Sequence, residues 1–167
     1  MHPVTIGKAI VRRQSRKPGL PLFAAFVFII LYALPTRAQD YRFGIGVRLS
    51  NSTPTLSNSI TGKYFVTDRN AVEGIVSFGS RFGVGALIGI HKPFPVEGLS
   101  WMYGAGAYVG FEEHRTYAGP MGMLGLDYKF TNVPINLSLD WKPELDFSPE
   151  INFVPDAIAL SVRFTLK

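Results

Sequence analysis

Cysteine is absent from the 167-residue chain, which excludes a disulfide framework and any thiol-based zinc or redox site. Acidic residues are absent from residues 1–38, where six of the 17 Lys and Arg fall. The remainder carries 11 basic and 12 acidic residues, a net charge near −1, so the overall +5 belongs to the first 38 residues. Nucleic-acid binding loses its compositional support with them. Long hydrophobic runs are also missing. The longest apolar run, Leu22 to Leu34, has thirteen residues, against about 20 for a membrane-spanning helix. After residue 38 no stretch repeats at helical spacing.

What is present at the start is a basic segment (Lys8, Arg12, Arg13, Arg16, Lys17), then the apolar run, then Pro35-Thr36-Arg37-Ala38. That order is the pattern of a secretory signal with a small-residue cleavage site. We expect residues 1–38 to be a signal peptide cleaved after Ala38, and residues 39–167 to form one domain. An uncleaved anchor is the rival reading, and it would have to recruit Pro21 and Pro35 into its span.

The domain reads as strand and turn throughout. Apolar and polar residues alternate over Tyr41–Ser50, Ile60–Thr67, Ala71–Phe78, Arg81–His91, Trp101–Glu112, Met121–Phe130, Ile135–Lys142 and Ala157–Leu166, the period of two that marks a strand with unlike faces. These eight strands predict an all-β fold, an eight-stranded antiparallel up-and-down barrel, with strands of roughly the length that crosses a bilayer. Asn51–Asn58, Glu113–Pro120 and Glu144–Asp156 read as its longer outer loops, and Phe65 breaks the alternation.

Which face is inside follows from the glycines. Gly44, Gly46, Gly83, Gly85, Gly89, Gly104, Gly106, Gly110 and Gly125 share the polar parity. Facing water they would only weaken the strands, whereas facing a narrow interior they relieve crowding and let the sheet coil. Every ionised strand residue falls on the same parity. The expectation is therefore an interior network of Arg42, Arg48, Lys63, Glu73, Asp127, Lys129, Asp140, Lys142 and Arg163, paired because an unpaired buried charge is costly. Aromatic residues gather at the strand ends: Tyr41, Phe43, Tyr64, Trp101, Tyr103, Tyr128, Phe130 and Phe164 at the end with the termini, and Phe78, Phe82, Phe111 and Trp141 at the other. Two such girdles around an apolar band are what membrane interfaces favour.

The segments Thr61–Phe65, Asn70–Gly74, Trp101–Ala107, Pro134–Pro143 and Ala159–Phe164 resemble those of small outer-membrane β-barrel proteins common in Bacteroidetes. The resemblance covers nearly the whole domain and implies an outer-membrane location. Its implied partners are membrane lipid and, during assembly, the barrel-insertion machinery; it implies no cofactor. One departure is that Phe164 is followed by Thr165-Leu166-Lys167, where such barrels usually end on an aromatic residue.

Chemistry is sparse. The two histidines of the domain, His91 and His114, fall at opposite barrel ends, so one site cannot use both. A lipid A-modifying enzyme would need His114, beside Glu112, Glu113 and Arg115, with a serine or carboxylate set on it. No catalytic, cofactor-binding or metal residue is assigned. The leading expectation is a structural or surface-interaction protein with a filled interior. The alternatives are that enzyme and an exported soluble barrel holding a ligand.

Overall fold

The computed structural model describes residues 41–50, 55–155 and 157–166; the expected signal peptide and its cleavage point lie outside them. The described chain is all-β, in the order β1 (Phe43–Ser50), β2 (Ser59–Phe65), β3 (Asn70–Phe78), β4 (Phe82–Pro93), β5 (Leu99–Glu112), β6 (Arg115–Lys129), β7 (Ile135–Trp141), β8 (Glu144–Asp146), β9 (Asn152–Val154) and β10 (Ile158–Leu166). Neighbours in sequence pair antiparallel from β1 to β7, and β10 lies between β7 and β1. The circle β1–β7 with β10 is a closed eight-stranded barrel, as the alternation predicts, and closure leaves those strands no free edge.

Ladder partners fix how the barrel is wound. From Val76 one path runs through Val84 and Val109 to Ala118 of β6. The other runs through Ile60, Val47, Val162 and Leu137 to Tyr128 of the same strand. Ala118 and Tyr128 are ten residues apart, and that stagger over eight strands tilts them about 40° from the axis. At that tilt each residue climbs about 2.5 Å along the axis and each step between strands about 3 Å.

The end where the described residues begin and finish, the near end, has three connections. In the β2–β3 turn the Thr67 hydroxyl accepts the Asn70 N–H at 3.0 Å, a side-chain mimic of a backbone turn bond. The β4–β5 turn closes on Gly98, whose φ of +79° and approach to the Lys129 carbonyl leave no room for a Cβ. At the far end β5 and β6 continue to Glu112 and Arg115, joined by a tight turn with Glu113 at positive φ. The expected loop Glu113–Pro120 is therefore mostly strand.

The expected loop Glu144–Asp156 holds the β8–β9 hairpin. Ladder register on β6 passes from Leu124↔Trp141 to Met121↔Glu144 without a slip, so β8 prolongs β7. Against β9 and β10 the register shifts by one residue between Ile158↔Trp141 and Glu144↔Val154, a bulge. Pro143 sits at this joint; it has no N–H to give, yet its carbonyl accepts from Gly122 N at 3.0 Å. The barrel wall is thus taller on the β5–β6–β7 side.

The third expected loop, Asn51–Asn58, also departs from its forecast. Thr55 and Leu56 are completely buried, folded into the far mouth rather than displayed outside it.

Large apolar side chains cover the outer face: Val47 is 51% exposed, Ile88 62% and Ile158 54%. The largest fully buried side chains include Arg48, Arg163, Lys63 and Lys142. This is the reverse of the usual rule, under which Lys and Arg are almost never buried without partners.

Candidate functional site

Alternation on β1, β2, β3, β6, β7 and β10 sends one set of polar side chains inward, and they meet on the barrel axis. Arg48 is anchored to Asp140, with Nη2 to Oδ1 at 3.1 Å. Asp140 also faces Lys142 Nζ at 3.0 Å, and Lys142 in turn faces Glu73 at 3.3 Å. Glu73 accepts from the Arg163 guanidinium and, at 2.7 Å, from the Thr61 hydroxyl. Arg163 donates to Ser138 Oγ at 2.5 Å, which itself donates to Asp127 Oδ1 at 2.7 Å. Asp127 closes the chain, taking the Lys63 ammonium at 2.7 Å and the Asn136 amide at 2.9 Å.

One continuous network therefore joins seven of the nine expected residues: Arg48, Lys63, Glu73, Asp127, Asp140, Lys142 and Arg163. Thr61, Asn136 and Ser138 share their inward parity and supply the neutral donors and acceptors between them. Charge inside the barrel is close to balanced, and each ion has an opposite neighbour. That is the condition under which buried charges can be kept.

The other two lie elsewhere. Arg42 is exposed and Lys129 is not in the network; the Lys129 ammonium caps the Phe130 and Val133 carbonyls of the β6–β7 turn. Arg42 stands just before β1, and Lys129 is the last residue of β6. Just before β1 the phase slips by one residue, so Arg42 turns out and Tyr41 turns in. Tyr41, expected in the girdle, is buried against Phe65, their rings edge to face at 5.2 Å. Phe65, the off-pattern residue of β2, also packs on His91 at 4.8 Å, and the three rings stop the near end.

The far mouth holds a second cluster that the sequence reading passed over. Leu56 offers its carbonyl to Arg48 Nη1 at 2.6 Å and its N–H to Glu144 Oε1 at 3.0 Å. Tyr108 donates to Asp146 at 2.7 Å, and Arg81 bridges Asp146 and Glu112 at 3.5 and 3.1 Å while stacking on Tyr117. The signal for Glu144 and Asp146 was present: the inward parity 136, 138, 140, 142 runs on unbroken to 144 and 146. Pro143 and the gap before β10 hid it. The Leu56 side chain belongs to an apolar cluster with Ile75, Leu87, Met102, Tyr108, Met121 and Met123. Its room comes from glycine: a Cβ on Gly85 would lie 3.1 Å from Leu56 Cδ1, and one on Gly110 would lie 2.5 Å from Thr55 Cγ2.

The aromatic residues form a belt at the near end. By the barrel's stagger Phe43, Tyr64, Trp101, Tyr128 and Phe164 share one level to within about 4 Å, with Tyr103 above and Phe130 below it. Phe78, Phe82 and Phe111 lie about 20–27 Å higher. Their rings follow one another around β3, β4 and β5 at centroid distances of 5.9 and 6.5 Å. Trp141 does not join them. Its ladder partners Leu124 and Ile158 put it about halfway up the wall, where its indole N–H donates to the Pro155 carbonyl at 2.5 Å.

His114 is exposed in the β5–β6 turn and His91 is buried beside Lys63. Among the described residues no group of three or more His, Asp and Glu could hold a metal ion. No protein-family model, no curated protein and no solved structure matches the chain.

Proposed function

We propose that this chain is an integral outer-membrane β-barrel protein with a structural or surface-interaction role, its interior filled by its own side chains. One observation carries the reading: a belt-to-belt apolar outer face encloses a buried network of Arg48, Lys63, Lys142 and Arg163 with their acids. In water such a face would be one continuous exposed patch, far beyond what soluble monomers display. In a bilayer it is the lipid contact, and closure satisfies the backbone where no water can. The separation of the aromatic levels fits the apolar band of outer-membrane barrels, about 25 Å tall. The secretory-signal pattern in the sequence of residues 1–38 and the resemblance to small Bacteroidetes-type barrels support export to that membrane.

The filled interior argues for structure over transport. Rings at the near end, the ion network across the middle and Leu56 at the far mouth leave the outer wall and the far-end turns as the surfaces that can meet partners.

The test is cell fractionation followed by electrophoresis of the membrane fraction with and without boiling. The protein should sediment with outer membranes and run faster unboiled, as a folded barrel does. A soluble product with no heat-dependent shift overturns the proposal.

A further inference from the structure

On β3 to β5 the far aromatic level is marked by Phe78, Phe82 and Phe111, but on the opposite side Trp141 stops about halfway up. If the barrel proper were the whole lipid-facing surface, its apolar wall would be lopsided by about 10 Å. The β8–β9 hairpin fills that gap. Its ladder register continues that of β7 on β6, so the same steps put Leu145, Phe153 and Phe147 at about 23–28 Å above the near belt, level with Phe82 and Phe111.

The hairpin is also two-faced in the sense of the barrel. Its inward residues Glu144 and Asp146 are buried and fastened to Leu56, Tyr108 and Arg81. Its outward residues Phe147, Ile151 and Phe153 are 60%, 81% and 57% exposed, while the polar turn Ser148-Pro149-Glu150 lies at the tip. A loop held rigidly from inside and greasy outside has no reason to face water.

We infer that the β8–β9 hairpin is a lipid-contacting part of the wall, completing the far aromatic belt, rather than a loop displayed at the surface. The occupant of its outer face is the acyl-chain boundary of the outer leaflet, where aromatic side chains are favoured. The inference rests on the outer-membrane reading and adds to it where the membrane ends.

The chain has no cysteine, so single cysteines report cleanly. Phe153→Cys and Ile151→Cys, each carrying an environment-sensitive fluorophore, are compared with Val84→Cys in the apolar band and His114→Cys in the exposed turn. The mature barrel is folded into phosphatidylcholine vesicles with or without bromine on the acyl chains. Folding of each variant is checked by its heat-dependent shift, and either hairpin position suffices. The expected result is a loss of fluorescence at the hairpin positions comparable to that at Val84, and protection from aqueous iodide that His114 lacks. Hairpin probes quenched by iodide and not by bromolipid, with Val84 still quenched by bromolipid, overturn the inference and leave the membrane reading intact. Absence of bromolipid quenching at Val84 as well overturns both.

Discussion

Inward positions on β1, β2, β7 and β10 carry Arg48, Thr61, Lys63, Asn136, Ser138, Asp140 and Arg163, whereas about half of those on β4 and β5 are glycine: Gly83, Gly85, Gly89, Gly104, Gly106 and Gly110. One wall projects long charged side chains and the other is hollowed to receive what crosses the barrel. Lys63 illustrates the fit: from β2 it reaches His91 Nε2 at 3.4 Å and Met102 Sδ at 3.7 Å on the hollow side. Leu56, Met121 and Met123 fill the remaining space. The lesson is that an eight-stranded barrel has a fixed interior volume, and side chains that are long on one wall require near-absence on the other. The charged wall is held by pairing and the hollow wall by packing, so the two should fail differently.

The largest expected effect breaks the charged wall at an anion that two cations share. Asp140→Leu leaves Arg48 and Lys142 facing each other without their common carboxylate, and removing one partner of a buried pair costs about 3–5 kcal/mol. Urea unfolding of the barrel in detergent micelles should show it as a lower midpoint, and the unboiled band should shift at a lower temperature. A variant that unfolds with the parent would mean the network does not hold the barrel together. On the hollow side, Leu56→Ala should cost about 2–3 kcal/mol, the low end for a buried leucine, because a loop can settle into the vacated space better than a strand can. It should also loosen the far mouth, read as faster hydrogen exchange of the Leu56 and Tyr108 neighbourhood with little change near Asp127.

The charged wall was legible in the sequence because strand parity and ionisation are both local properties. Arg48, Lys63, Glu73, Asp127, Asp140, Lys142 and Arg163 needed only alternation to be placed together. Parity loses its meaning where a strand ends. Tyr41 and Arg42 exchange directions one residue before β1, and Lys129 finds turn carbonyls to cap. The hollow wall was legible only as a count of glycines. What fills it comes from Thr55 and Leu56, a loop segment whose only sequence mark is being polar and containing a nearby proline, which is the mark of an exposed loop. No local rule says that a loop folds inward; Gly83, Gly85 and Gly110 opposite it are the trace of that contact. The eight-strand circle was readable, while the β8–β9 extension was not, since Pro143 and three-residue strands fall below what periodicity can resolve.

A smaller effect sharpens the glycine half of the comparison. Gly110→Ala places a methyl against Thr55 Cγ2, 2.5 Å away before any adjustment, and overpacking of this kind costs about 1–3 kcal/mol. Thr55→Ala removes the offending methyl, so the double variant should regain most of what Gly110→Ala loses. That non-additive pair of unfolding midpoints, of the size expected for residues in contact, would tie the glycine to the plug rather than to strand coiling. Equal and additive losses would favour coiling.

The smallest effect separates pairing from parity. Arg42, Lys129 and Arg163 all sit on the polar parity of their strands, so a rule based on alternation alone treats them as equivalent. Only Arg163 is buried, and it alone is enclosed by Glu73, Ser138, Asn136 and Thr61. Arg42→Ala and Lys129→Ala should therefore change the unfolding midpoint by no more than about 0.5 kcal/mol, as surface substitutions do. Arg163→Ala removes one of the two cations that face Glu73, leaving Lys142, and should fall in the range of Asp140→Leu, about 3–5 kcal/mol. If the three variants instead lose stability alike, charge on the inward parity matters wherever it lies. The structural distinction drawn at Tyr41 and Arg42, where the chain slips by one residue, would then be wrong.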